Sequence, residues 1–215
     1  MAKLKGPEDE KALGGGSVKG NLFDLTPEER VEYLRLLDDL MQVRSAWEEL
    51  AQVRPQVEPY FPQVARRIAE RMGQNPLTQD KADVVGPLTR VAELYFSPPR
   101  LDAEYLESRA RVGKGYLEAG HTPATLVAGI YGLWVDEWSR VFQELFSGDP
   151  VHLARLTRAL ALVSLFNLSL VIQQFTYESE VRAREMEERM LEKFLRVSGI
   201  SRELYEQMAR VAGED

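Results

Sequence analysis

The chain of 215 residues contains no cysteine. Disulfides, thiol nucleophiles, zinc–thiolate sites and cysteine-ligated iron–sulfur clusters are excluded on that ground alone. Histidine is scarce, with only His121 and His152, so general acid–base work would fall mostly on carboxylates. The acidic pairs Asp38 and Asp39, Glu48 and Glu49, and Glu187 and Glu188 lie on polar helix faces, where solvated surface is their ordinary role. No phosphate-binding glycine loop, nucleophile elbow or metal-ligand spacing is present. These absences lead us to expect a protein that is not an enzyme. Cations are also outnumbered, 27 Lys and Arg against 34 Asp and Glu, for a net charge of -7. Nucleic acid is not an expected partner, because phosphate binding needs clustered positive charge. The N-terminal stretch lacks the apolar segment of a signal peptide, and a cytoplasmic location is expected. Residues 159–177 carry no charge, but Ser164, Asn167, Ser169, Gln173 and Gln174 are too many polar groups for a lipid-facing span. A membrane is therefore not expected either.

What the sequence does have is helix punctuation. No segment alternates with period two, so strands are not expected, and the fold class is all-α. Residues 1–21 are charged and then glycine-rich, from Gly14 to Gly16. They read as a flexible lead that buries too little apolar surface to fold. Thr26, Pro27 and Glu29 form a capping box with proline at the first helical position. An apolar stripe at Val31, Leu34, Leu37, Leu40, Met41, Trp47 and Leu50 predicts a helix up to the breaks at Pro55 and Pro59. Further helices are expected over about 62–72, from 79 or 87 to 96, from Asp102 to Gly120, and from Thr122 and Pro123 to about 146. Asp149 and Pro150 open a last long helix reaching about Ser198, and a short amphipathic helix follows Gly199.

The long helix changes character along its length. Residues 160–175 are apolar nearly all round, and such a helix needs cover on two sides. Its own domain supplies one side and a second copy of the chain the other. Residues 178–193 are strongly charged, with a thin apolar seam at Met186, Met190, Phe194 and Val197 whose spacing suits a short coiled-coil strip or a helix packed on its own domain. The expected organisation is a lead over 1–21, a sensor domain over 22–180 and a helical extension over 181–215. A homodimer is the expected assembly, with Trp134, Trp138, Phe166, Leu170 and Phe175 as interface or core residues. A helix running out of the domain also suggests a downstream output domain or protein.

One segment is more specific. Tyr105, Arg109, Val112, Gly113, Gly120 and Pro123 have the spacing of the haem-proximal region of bacterial sensor globins, the protoglobin family. Residues 94–102 resemble that family's lead-in to this helix, and residues 57–76 its second helix and following turn, so the resemblance covers about 26–180. It implies a globin-like fold with a long C-terminal helix, a pocket near Arg109 and Gly113, and a role in signal transduction. The chain departs from the family where the haem chemistry lies. Tyr116 stands at the usual place of the proximal histidine. The distal aromatic pair falls on Ile68 and Ala69, and Leu126 replaces an aromatic after Pro123.

The resemblance therefore leaves the cofactor open between haem b and either an apolar ligand or none. If haem is bound, its iron ligand is Tyr116 or His121. Tyrosinate ligates haem elsewhere, but the phenol needs a nearby cation to ionise. Arg109, two helical turns back, is the candidate. Otherwise Tyr116 is a core aromatic and His121 an exposed corner residue. Arg109 is expected to pair with Glu93 or Glu107, or with a haem propionate. The leading expectation is a sensory or regulatory module without the usual histidine-ligated haem. The alternatives are a gas or redox sensor with an atypical ligand, and a ligand-free dimerisation protein.

Overall fold

The computed structural model describes Leu22, residues 25–81 and residues 83–212. The expected flexible lead over 1–21 lies outside the described residues. Among the described residues the fold is all-α, with no strand. The chain forms two compact units, the first ending at Phe175 and the second starting at Thr176. Among the described residues Phe175 is the last buried side chain, and the division falls where burial stops.

In the first unit, α1 (Pro27–Met41) opens on the expected capping box. The Thr26 N–H donates to Glu29 Oε2 at 2.9 Å and the Glu29 N–H to Thr26 Oγ1 at 3.3 Å. The expected unbroken stripe does not follow. The helix stops at Gln42, held in the left-handed region at φ 53° and ψ 41°. The Gln42 N–H returns to the Asp38 carbonyl, and the Asp38 carboxylate accepts the Arg44 N–H at 2.9 Å. This corner re-aims the chain, so Leu40 is 81% exposed while α2 (Val43–Gln52) buries Val43, Ala46, Trp47 and Leu50. A short α3 (Arg54–Val57) and a single tight turn lead to α4 (Phe61–Gly73), whose Val64, Ile68 and Met72 form the expected buried face.

Next come α5 (Val85–Tyr95) and α6 (Ala103–Glu118). Asp102 caps α6 by accepting the Tyr105 N–H at 3.0 Å. At the other end, Gly120 takes φ 73°, the Gly120 N–H bonds to the Leu117 carbonyl, and the His121 N–H bonds to the Tyr116 carbonyl. That pair of bonds is the Schellman closure expected of a left-handed glycine. Thr122 and Thr125 cap each other's N–H groups. The chain then runs as a wide π-helix over Thr125–Gly132 before α7 (Leu133–Phe146). An ordinary α-helix was expected there. A Cβ on Gly132 would lie 3.2 Å from the Val127 carbonyl oxygen inside the widened turn, and one on Gly129 would lie 3.3 Å from Thr78 Cγ2. Phe61, Phe96, Trp138 and Phe142 stack into one aromatic core between α4, α5 and α7.

The long helix α8 (Pro150–Ser198) has the expected bounds, and at 49 residues it spans about 70 Å. Within the first unit it buries Leu156, Leu160, Val163, Phe166, Leu170 and Val171 completely. One strip stays uncovered: Leu165 is 55% exposed, and Leu162, Leu168 and Ile172 are half-buried. By length and composition α8 could cross a membrane, but 56% of its most apolar window is buried inside the chain. Trp134, Trp138, Phe166, Leu170 and Phe175 are all core residues of this unit. Of the two readings, interface or core, their burial within the chain matches the core.

In the second unit, α8 continues to Ser198, and Gly199 at φ 70° turns the chain into α9 (Arg202–Ala212). Phe194 and Tyr205 pack with ring centres 6.1 Å apart, and Arg202 bonds to Glu188. The two helices form a hairpin. Met186, Met190, Val197, Met208 and Val211 remain exposed on it.

Candidate functional site

Arg109 lies on the inner face of α6 and is only 6% exposed. An arginine is always charged, and a buried charge normally has an acidic partner. Here the expected carboxylates are absent: Glu93 and Glu107 are both exposed, and neither forms an ion pair with it. Helix geometry turns those two side chains outward. Arg109 Nη1 instead donates to Asn167 Oδ1 on α8 and Nη2 to Ser108 Oγ, both at 3.3 Å. Its Nε has no partner. The guanidinium carbon stands 5.5 Å from the Tyr105 ring centre, a cation–π contact.

Four tyrosines surround this charge. Tyr105 donates its hydroxyl to Asn167 Oδ1 at 2.8 Å, and Asn167 Nδ2 donates to the Val163 carbonyl at 2.8 Å. Burial pushes the hydroxyls of Tyr95, Tyr105 and Tyr131 well above the usual tyrosine range. It pushes Tyr116 up to about 12, against the smaller opposing pull of the Arg109 charge. All four phenols are therefore neutral at ordinary pH. Tyr131 is carried by the π-helix, a backbone form frequent at functional sites.

Two cavities flank the cluster. The first, about 250 Å³, is lined by Trp47, Tyr95, Tyr105, Arg109 and Asn167, with Arg100, Asp102, Glu104 and Ser108 also contributing. The indole Nε1 of Trp47 also lacks a partner. The second, about 560 Å³, lies between α5 and α6 and is lined by Leu88, Val91, Val112, Tyr116, His121 and Ile130, with Asp80 and Asp83. Between them, Leu88, Val91, Tyr116 and Tyr131 enclose about 20 Å³, space for roughly one water.

The candidates named from sequence divide accordingly. Tyr116 and His121 come together, ring centres 5.2 Å apart and nearly perpendicular. His121 is buried rather than an exposed corner residue, because the Schellman closure tucks it under the end of α6. Its Nδ1 faces Thr125 Oγ1 at 3.4 Å. Gly113 is not a pocket residue: a Cβ there would sit 2.7 Å from the Val171 carbonyl oxygen and 2.9 Å from Gln174 Cβ. It allows α6 to lie directly on α8. Ile68 is wholly buried in the core and Ala69 half-buried. Neither lines either cavity.

Tyr116 and His121, which line the second cavity, are residue types able to ligate an iron porphyrin. Burial raises the Tyr116 phenol, and the carboxyls Asp80 and Asp83 also line this cavity, an unfavourable setting for propionates. Among the described residues no group of three or more His, Asp or Glu is placed to hold a metal ion. Sequence reasoning missed Trp47, Tyr95, Tyr131 and Asn167. Only Asn167 left a signal, a polar side chain in the apolar stretch of α8.

The fold and site thus define an all-α protein with a buried, uncompensated arginine between two cavities. No protein-family model matches the chain, and no curated protein sequence matches it.

Proposed function

We propose that this chain is a haem-free, globin-like sensory module that binds a small ligand beside Arg109 and acts as a homodimer. The observation that carries the reading is the Arg109 cluster itself, built on a helix packed without slack against α8. Folding alone leaves a buried charge short of partners, and a ligand that completes it would be held tightly. The order of helices and the spacing from Tyr105 to Pro123 support the globin-like assignment. The half-covered strip at Leu162, Leu165 and Ile172 and the exposed apolar residues of the hairpin support a second copy of the chain as partner. Ligand binding at α6 shifts α8 through the Gly113 contact, and a downstream domain or protein reads the change. Lack of cysteine and enzyme motifs agrees with a regulatory role in the cytoplasm.

Light scattering on the purified chain at micromolar concentration tests the assembly. A dimer is expected, and a monomer would remove both the interface and the signalling route. Hemin titration tests the cofactor, with no stoichiometric Soret band expected. A second reading, a haem sensor with an atypical ligand, draws on the adjacency of Tyr116 and His121 at one cavity. A sharp band lost on Tyr116→Phe or His121→Ala would establish that reading instead.

A further inference from the structure

We infer that Arg109 anchors a binding site for a small organic monocarboxylate in the cavity of about 250 Å³ lined by Trp47, Tyr95, Tyr105 and Asn167. The inference deepens the ligand-sensing reading by naming the ligand class and the residue that holds it.

The argument starts from unused donors. A guanidinium carries five N–H donors and no acceptor. Arg109 makes two long bonds to neutral oxygens, and its Nε makes none. Trp47, which lines the same cavity, carries a second buried donor without an acceptor, its Nε1. Both groups call for an acceptor, and only an anion also neutralises the charge. A carboxylate matches the planar fork of a guanidinium with two parallel bonds.

The surroundings select a monoanion with an apolar body. The aromatic rings of Trp47, Tyr95 and Tyr105 form the wall. Asp102 and Glu104 stand at the same cavity, disfavouring a multiply charged phosphate. Asp102 is already engaged in capping Tyr105. Arg100 is the one further cation there. The volume lies below the range of about 300–1,000 Å³ usual for drug-sized ligands, so the ligand is small.

The test is calorimetric titration of the full chain with acetate, benzoate and indole-3-acetate, each against its neutral amide, and with inorganic phosphate. At least one carboxylate should bind saturably, one per chain, at least tenfold more tightly than its amide and than phosphate. Arg109→Met should abolish that binding. With no ligand present, its melting temperature should equal or exceed that of the parent, because an uncompensated charge has been removed. Asn167→Asp is a second route should Arg109→Met not fold. It places a carboxylate beside the guanidinium, so it should block the added acid while the protein stays folded. Failure of all three acids to bind the parent chain would overturn the inference. So would binding that survives Arg109→Met or Asn167→Asp, or phosphate binding that matches the acids. A monomer in light scattering would leave this site standing, and loss of carboxylate binding would leave the dimer standing, so the two proposals fail separately.

Discussion

Gly113 and Val171 approach so closely that a Cβ on Gly113 would lie 2.7 Å from the Val171 carbonyl oxygen. Backbone, unlike the end of a flexible side chain, has nowhere to go, so a methyl group here must push α6 away from α8. Gly113→Ala should destabilise the protein by about 1–3 kcal/mol, the usual range for overpacking. Gly115, two residues on in the same helix, has nothing within 4 Å of its would-be Cβ. Gly115→Ala should stabilise by about 0.5–1 kcal/mol through helix propensity. Urea denaturation of the two variants reads both signs. Equal effects would show that α6 and α8 do not meet at Gly113.

The buried tyrosines give stability a defined alkaline limit. Their hydroxyls lose protons at higher pH when folded than when unfolded, where tyrosine titrates near 10. The folded state therefore holds more protons above pH ~10, and stability falls as pH rises from there. Below pH ~10 they contribute no slope. Each such tyrosine removes about 1.4 kcal/mol per pH unit until its folded value is reached. For Tyr116 that value is about 12. Tyr116→Phe should flatten the decline by roughly 2–3 kcal/mol between pH 10 and 12, with little pH dependence altered at pH 7. Thermal melts across pH 8–12, followed with tyrosinate absorbance, would show it. A parent chain whose stability is flat to pH 12 would contradict the burial of the cluster.

Gln42 holds a left-handed backbone, φ 53°, that costs a side-chain-bearing residue about 1 kcal/mol. Gly pays no such strain. Gln42→Gly should therefore stabilise the corner between α1 and α2, by up to about 1 kcal/mol after the loss of chain entropy in the unfolded state. A loss of more than about 1 kcal/mol in denaturant would mean that the residue sits in ordinary helix.

Leu165 is 55% exposed and lies on the strip of α8 that the first unit leaves uncovered. On the proposed dimer it becomes an interface residue. Leu165→Glu should convert the dimer to monomer while far-ultraviolet dichroism stays unchanged. In the isolated fold the same change exposes less apolar surface and costs little. Light scattering that shows an unaltered dimer would place the contact elsewhere.

Much of the secondary structure was legible because helix ends are local events. Thr26, Asp102 and Asp149 each accept the N–H group three residues ahead, and Gly120 and Gly199 take the left-handed turn that ends a helix. Each needs only its neighbours in the chain. The corner at Gln42 escaped notice because glutamine carries no preference for that backbone. The π-helix over 125–132 escaped because no local residue pattern marks it, and its Gly129 meets Thr78, a neighbour distant in sequence.

The site shows the same division. Sequence spacing brought forward Arg109, Tyr116 and His121, which the structure does place in cavity linings, Arg109 at one and Tyr116 and His121 at another. It put Gly113 in the pocket, whereas the tertiary structure puts it against α8, and it paired Arg109 with acids on its own or a neighbouring helix. Composition determined that no cysteine chemistry operates, and local capping and apolar spacing determined that helices carry the fold, because both depend only on residue types and near neighbours. Which groups face Arg109 was decided by the packing of α2, α5 and α8 around α6. A charge buried far from the acids of its own helix finds its partners only when distant segments close over it.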